Sequence, residues 1–506
     1  MALAPSDTYD LVVIGGGING AAIARDAAMR GLSVILLEKN DFGSGASTKT
    51  SKLAHGGVRY LEQLQFGLVK EALKERALLM KNAPHLVHLL PFVFPVYSND
   101  ARPLWQIRFG LFLYDLLSHS KLFPKHKKLS PEDIVTQFPG IKTSGLVGGC
   151  LYYDAQMRDN RIVIENIIAA ERHGVLCLNY TEVIECISHN GRVDVVKFRS
   201  GDKVESVACR AVVNAAGAWS SQIPGMASGT SGVSPSKGVH LVIEGSVEKA
   251  LLLHAPQDGR VFFVLPWDGN TLVGTTDTFY SGDPDKVSVE DSDIDYLLDA
   301  INACFPKRNI TRSSIIASFA GLRPLVAHAK GEKPSDVVRD HEIHTTPEGI
   351  TTVLGGKFTT HRHMAEEAVD AVINSLEEPG KYLPCSTEAT PLPGAATPDE
   401  LVKIKKQLRS ANLSDAVVEH LAGTYGIASL EILKIVKADP AEGKQIYATH
   451  PHILAEITYS IKNEHVRTLE DWLYRRTSIA YTSCRRLSSL ENILEKFACV
   501  SGCHII

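Results

Sequence analysis

A short apolar run that passes at once into a glycine-rich turn and then a helix constrains this chain more than any other feature. Tyr9-Asp10-Leu11-Val12-Val13-Ile14 reads as a buried strand, and Gly15-Gly16-Gly17-Ile18-Asn19-Gly20 as the turn. Residues 21–30 read as a helix closed by Gly31, and a second apolar run, 33–37, ends in Glu38. Strand, glycines, helix, strand and acid in that order make a βαβ unit that holds a dinucleotide. In such a unit Gly15 permits the tight turn, Gly17 lets the backbone approach a pyrophosphate, and Gly20 lets helix and strand pack closely. The helix N-terminus offers N–H groups and a partial positive charge to phosphates. Glu38 stands where a carboxylate accepts hydrogen bonds from a ribose. It argues against a 2′-phosphate and leaves NAD and FAD both open.

The remaining length asks for more than this unit: 506 residues predict two or three domains. With 44% hydrophobic residues and a net charge of −4, the chain can bury a large core and has no global attraction to nucleic acid, so no such partner is expected. The nine cysteines form no C-x-x-C pair. They read as free, mostly buried thiols of a reducing compartment, and no metal site is read from them. No signal peptide is read at the N-terminus. No run of eighteen apolar residues occurs, so no transmembrane helix is expected. Segment 86–97 is cut by Pro91 and Pro95 and reads as extended chain in a core.

Segments 182–187, 193–198 and 204–207 alternate like antiparallel strands, with turns at Asn190-Gly191 and Ser200-Gly201-Asp202. Residues 211–219 read as a buried strand running into a glycine turn. Further strands are expected at 239–243, 261–266, 271–276 and 351–354. A Pro/Thr/Gly/Ala-rich linker spans 385–398, and a helical pattern follows to the end, as in 401–411 and 453–463. The expected division is a discontinuous nucleotide-binding domain at 1–85, 145–235 and 340–385, a substrate-binding domain at 86–144 and 236–339, and a helical domain at 390–506.

Five blocks resemble the FAD-dependent glycerol-3-phosphate dehydrogenase family. They are the opening turn with Ala24-x-Asp26 and Arg30-Gly31; Gly45 through Leu61, which includes Ser47-Thr48-Lys49-Thr50-Ser51-Lys52-Leu53-Ala54-His55-Gly56-Gly57-Val58-Arg59-Tyr60; Gly321-Leu322-Arg323-Pro324-Leu325; Gly355-Gly356-Lys357-Phe358-Thr359-Thr360-His361-Arg362; and Thr468 through Thr477. Ala22, Phe358 and His361 depart from the family's usual residues. The resemblance implies an α/β fold with a β-rich substrate domain: a Rossmann-like domain of the glycine/D-amino-acid oxidase type, with a helical C-terminal domain. It also implies FAD as cofactor, sn-glycerol 3-phosphate as substrate, a quinone of the respiratory chain as electron acceptor, and a cytoplasmic protein held peripherally on the inner face of that membrane, a homodimer being allowed. An oxidase that releases hydrogen peroxide, and an amine or 2-hydroxyacid flavoenzyme, are the alternatives.

Oxidising a secondary alcohol beside a phosphate needs a hydride acceptor, a base for the hydroxyl proton and cations for the phosphate. The resemblance places Arg59 and Arg323 on the phosphate, where a guanidinium grips oxygens in a fork. His55, between small residues, and His240, on a strand entering the substrate region, compete as the base. Tyr60 can bond the phosphate or pack its ring. Lys357 suits charge on the flavin or the phosphate. For the cofactor, Ser47, Thr48 and Ser51 offer hydroxyls to the diphosphate, Ala216 and Gly217 allow close backbone approach, and Gly355, Gly356, Lys357 and Thr359 form the second flavin block. Gly274-Thr275-Thr276-Asp277 reads equally as a site segment or a strand-end turn. Residues 104–117 make a very apolar helix followed by Lys121, Lys125, Lys127 and Lys128, which reads as an interfacial helix or as one buried in the substrate domain.

Overall fold

The structure, a computed structural model, describes residues 8–482 apart from 62–63, 119, 227–232, 327–340, 377, 379 and 448–449; the side chain of Arg59 also lies outside the described residues. Two sheets organise it. The first is built on Thr8–Ile14, whose last four residues are fully or almost fully buried as the apolar run requires. Its order is His341–Thr345, Ile350–Gly355, Lys203–Asn214, Thr8–Ile14, Val34–Leu37, Leu176–Leu178. The central four strands are parallel. The helices Ile18–Met29, Asp159–Arg172 and His361–Ser375 contribute to the apolar core on one face, and the hairpin Thr181–His189/Arg192–Ser200 to the core on the other. The hairpin turns at Asn190 and Gly191, both at positive φ, as an Asn-Gly turn predicts.

The segments expected at 204–207 and 211–213 are one strand, Lys203–Asn214. Its first half pairs antiparallel with Arg192–Ser200, and its second half pairs parallel with Thr8–Ile14. It is exposed at one end, alternates in the middle and is continuously buried at the other end, so its two halves carry different local signatures.

The second sheet runs Thr278–Phe279, Val233–Ile243, Asn270–Gly274, Val261–Trp267, Ala250–His254, Val87–Tyr97, Leu146–Met157, Leu53–Ala54, with Ile315–Val326 on Val233–Ile243. The stretch containing Pro91 and Pro95 is thus the long strand Val87–Tyr97, paired antiparallel with Leu146–Met157. Leu146–Met157 belongs to this sheet, so the chain returns to the nucleotide sheet after residue 157 and not at 145. Helix Leu104–Ser118 buries Ile107, Leu111 and Tyr114 against this sheet's core and leaves Trp105, Phe109, Phe112 and Leu116 outside.

The linker is packed down: the Arg25 guanidinium donates to the Thr390 carbonyl, Leu392 N to Asn82 O and Gly394 N to Glu165. After it come the helices Pro398–Arg409, Asp415–Tyr425, Ser429–Ala438 and Leu454–Asn463. Thr397 caps the first in a capping box with Glu400. This part is not helical throughout, because Gln445–Tyr447 and His450–Ile453 form a small antiparallel pair. Among the described residues no helix is long and apolar enough to cross a membrane. The described cysteines, Cys150, Cys177, Cys186, Cys209, Cys304 and Cys385, are free; Cys484, Cys499 and Cys503 lie outside the described residues.

Candidate active site

The ends of both sheets meet at one cavity of about 660 Å³. At its nucleotide end the fingerprint glycines act as their spacing predicts. Gly15 has φ +106°, and a Cβ there would lie 2.7 Å from Ala215 O. A Cβ on Gly20 would lie 1.8 Å from Gly15 O, so strand and helix touch through bare backbone. Gly17 caps the helix Ile18–Met29 and lines the cavity, and Ser47 Oγ accepts from Ile18 N at 2.9 Å. Glu38 is buried and accepts from Gly16 N at 2.6 Å and Asn40 N at 2.8 Å. Burial pushes its carboxyl up, while those two N–H groups oppose the shift.

Three backbone turns, 15–17, 216–217 and 355–356, line the same cavity with little or no side chain. That is the cradle a dinucleotide requires. Two of the expected hydroxyls have protein partners. Thr48 Oγ1 donates to Gly43 O at 3.0 Å, which fixes its own turn, and Thr48 does not line the cavity. Ser51 lines the cavity, and its Oγ pairs with His240 Nε2 at 2.8 Å.

The other end is built by the antiparallel pair Val233–Ile243 and Ile315–Val326. Its register sets Ser236 opposite Arg323, Gly238 opposite Gly321 and His240 opposite Phe319. Side chains two apart on a strand share a face, so these six residues look the same way. The two glycines leave the middle of the face open. A Cβ on Gly238 would come 2.4 Å from Arg323 Nη2.

Arg323 is held in place before any substrate arrives. Nη1 donates to Asp277 Oδ1 at 2.9 Å and Ser236 Oγ at 3.3 Å, and Nη2 donates to Thr275 Oγ1 at 3.0 Å. The His240 ring is stacked on Phe319 at 5.0 Å and faces Gly274, where a Cβ would lie 2.3 Å from the ring. Its Nδ1 is buried with no hydrogen-bond partner. Burial, and then the charges of Arg323 and Lys52, hold its pKa well below the usual imidazole value, so the ring is neutral.

His55, Tyr60 and Lys357 line the same cavity. His55 N donates to Thr359 Oγ1 at 3.2 Å, which ties the second block to the fourth. Lys357 Nζ lies 4.0 Å from the centroid of the Tyr60 ring, a cation–π contact. The loop carrying His55 is braced from below. Buried Lys52, at φ +59°, donates to both Asp159 oxygens at 2.9 Å, and Gly56 N donates to the Tyr114 hydroxyl, which donates to Asp154. The Arg59 side chain lies outside the described residues, so no geometry bears on it.

Residues to which the sequence assigned no role complete the site. Ser236, Thr275 and Asp277 fix Arg323. Arg260 donates to Asp277 O at 2.7 Å and lines the cavity, and Lys49 lines it too, its ammonium disfavoured by burial. The local signal was Gly274-Thr275-Thr276-Asp277, whose partner Arg323 lies some fifty residues on, in a strand on the far side of Val233–Ile243.

These features define a flavin-dependent oxidoreductase. A family model described as "FAD dependent oxidoreductase" matches residues 10–371, and one described as "C-terminal domain of alpha-glycerophosphate oxidase" matches 385–502. The chain is 36% identical to a glycerol-3-phosphate dehydrogenase of Synechocystis over 93% of its own length and 89% of that protein. It is 36% identical to an aerobic glycerol-3-phosphate dehydrogenase of Bacillus subtilis over 93% and 87%. It superposes on the glycerol-3-phosphate dehydrogenase of Bacillus halodurans complexed with FAD with a TM-score of 0.81, at 29% identity, covering 98% of this chain and 91% of that one. The chain therefore belongs to the FAD-dependent glycerol-3-phosphate dehydrogenase family. Its cofactor is FAD, and its fold is the expected one: a Rossmann-like flavin domain, a β-rich partner and a helical C-terminal domain.

Proposed function

We propose that the protein oxidises sn-glycerol 3-phosphate to dihydroxyacetone phosphate and passes the electrons to a quinone at a membrane surface. The observation that carries this reading is the pre-set Arg323 fork beside His240, His55 and Lys357 in one cavity with the dinucleotide cradle. FAD would be held along Gly15, Gly17, Glu38, Ser47, Ala216, Gly217, Gly355, Gly356 and Thr359, and when bound would supply the hydride acceptor. Arg323 binds the substrate phosphate, with Asp277 and Thr275 keeping its planar group aimed. Lys357 adds positive charge on the Tyr60 side. Tyr60 and Phe263 help exclude water from the reacting carbon. His55 takes the hydroxyl proton. Buried His240, flanked by two cations, resists becoming charged, so it positions Ser51 and the substrate and leaves proton uptake to His55.

The exposed side of helix Leu104–Ser118 favours a membrane setting. Trp105, Phe109, Phe112 and Leu116 follow helical spacing and are each more than half exposed, and the exposed Lys121, Lys125, Lys127 and Lys128 come next. Aromatic and apolar side chains beside lysines suit an anionic lipid surface. The reading is tested by assaying the purified protein with a short-chain quinone and with oxygen, using sn-glycerol 3-phosphate and glycerol as substrates. Turnover with the phosphate ester and quinone alone supports it. Peroxide formation at a comparable rate favours an oxidase, and equal turnover of glycerol contradicts the phosphate role. Vesicles containing anionic lipid should retain the wild-type protein and release Phe109→Glu with its soluble-acceptor activity intact; equal retention of the two would remove this helix from the membrane contact.

A further inference from the structure

The helical C-terminal part carries a cluster that flavin chemistry does not use. His420 comes from helix Asp415–Tyr425, His452 from strand His450–Ile453, and Glu456 from the first turn of helix Leu454–Asn463. One ligand-type atom from each lies within 4.8 Å of the other two. His420 Nε2 and Glu456 Oε2 are 2.9 Å apart, and the rings of His420 and His452 are 4.2 Å apart at their centroids. All three side chains are buried or nearly so. His452 Nδ1 is buried without a hydrogen-bond partner, a state that costs about 1–3 kcal/mol in general and calls for an explanation.

From these observations we infer that His420, His452 and Glu456 bind one divalent transition-metal ion, zinc by preference. Two imidazoles and one carboxylate are a borderline donor set suited to zinc, and three protein ligands leave one position for water. Metal–ligand bonds of about 2.0–2.2 Å put ligand atoms roughly 3.3 Å apart in a tetrahedral site. The His420–Glu456 contact opens by a few tenths of an ångström to reach this, and His452 closes by a side-chain adjustment. The surrounding contacts are of the kind that orient ligands: Thr424 Oγ1 pairs with His420 Nδ1 at 3.3 Å, Tyr425 Oη donates to Glu456 Oε2 at 3.0 Å, and Ile453 N donates to Glu456 Oε1 at 2.8 Å. None of the three residues lines the flavin cavity. The ion joins three elements of the C-terminal part and stabilises it, separately from the redox chemistry.

The test uses the full-length holoprotein, incubated with zinc or cobalt(II) and freed of excess metal by gel filtration. The expected result is about one zinc per chain by elemental analysis, a cobalt(II) d–d absorption to the red of the flavin band, and a denaturation midpoint raised by zinc. His452→Gln should lose all three while keeping the flavin spectrum of the wild type. A wild-type protein that retains no zinc and shows no cobalt band overturns the inference, whatever the variants do. Full zinc retention by both His452→Gln and Glu456→Gln also overturns it, because the ion then sits elsewhere.

Discussion

At the scale of single residues, Arg323 is the side chain whose purpose is most specific. Ser236, Thr275 and Asp277 accept hydrogen bonds from its guanidinium and aim it, and it lines the cavity. Arg323→Lys keeps the charge facing Asp277 but loses the planar fork. It should lower kcat/KM for sn-glycerol 3-phosphate by roughly 10²-fold, about 3 kcal/mol, through KM, with flavin content unchanged. Steady-state kinetics beside the flavin-to-protein absorbance ratio check this. The two histidines separate in the same assay. His55→Asn is expected to lower kcat by roughly 10²-fold or more, whereas His240→Asn lowers it less. The opposite pattern would make His240 the base. Sequence alone left the two in competition because chain neighbours do not report burial or the charges that surround a ring in the fold. His240 is marked by its burial and by the charges of Arg323 and Lys52, which the fold brings to it from distant parts of the chain.

Elements were legible in proportion to how local their determinants are. The first βαβ unit combines apolar runs, a glycine turn and a closing glycine within forty residues, and it folds as read. Gly20→Ala would place a methyl carbon 1.8 Å from a backbone oxygen with no flexible atom to yield. The variant should therefore lose bound FAD, while Gly110→Ala, where a Cβ meets nothing within 4 Å, should keep it. Flavin release on purification measures both; an FAD-replete Gly20→Ala would contradict the packing described. Pairings were less legible. The merged strand Lys203–Asn214 and the placement of Leu146–Met157 in the second sheet depend on which distant strand supplies the partner. The partners of Thr48 and Ser51 were hidden for a related reason. Their hydroxyls are claimed by Gly43 O and His240, neither of which a motif reveals.

Across the whole molecule, buried ion pairs fasten the helical C-terminal part to the flavin domain. Arg161 grips Glu464 at 2.9 and 2.7 Å, Arg476 grips Asp41 at 2.9 Å through two nitrogens, and Tyr180 donates to Asp471 at 2.6 Å. Asp41 lies three residues after Glu38, so the tail braces the turn that follows the ribose carboxylate. The fold also carries imidazoles that are buried neutral. Burial brings His361 down to about 4, and His240 and His452 are displaced in the same direction. A folded pKa below the unfolded value of about 6.5 gives stability that is complete above that pH and falls away as pH drops toward 4. For His361 the full loss is on the order of 3 kcal/mol. Urea midpoints between pH 7.5 and 5 should therefore decline on acidification, and less steeply for His361→Gln. An unchanged slope would show that His361 does not carry this linkage.

The measurement closest to the central claim is the visible spectrum of the holoprotein, recorded anaerobically before and after addition of sn-glycerol 3-phosphate. Loss of the oxidised-flavin absorption on adding the ester, and not on adding glycerol, is the result expected of the cavity described here. A flavin that stays oxidised with sn-glycerol 3-phosphate but is bleached by an amino acid or a 2-hydroxy acid would contradict it.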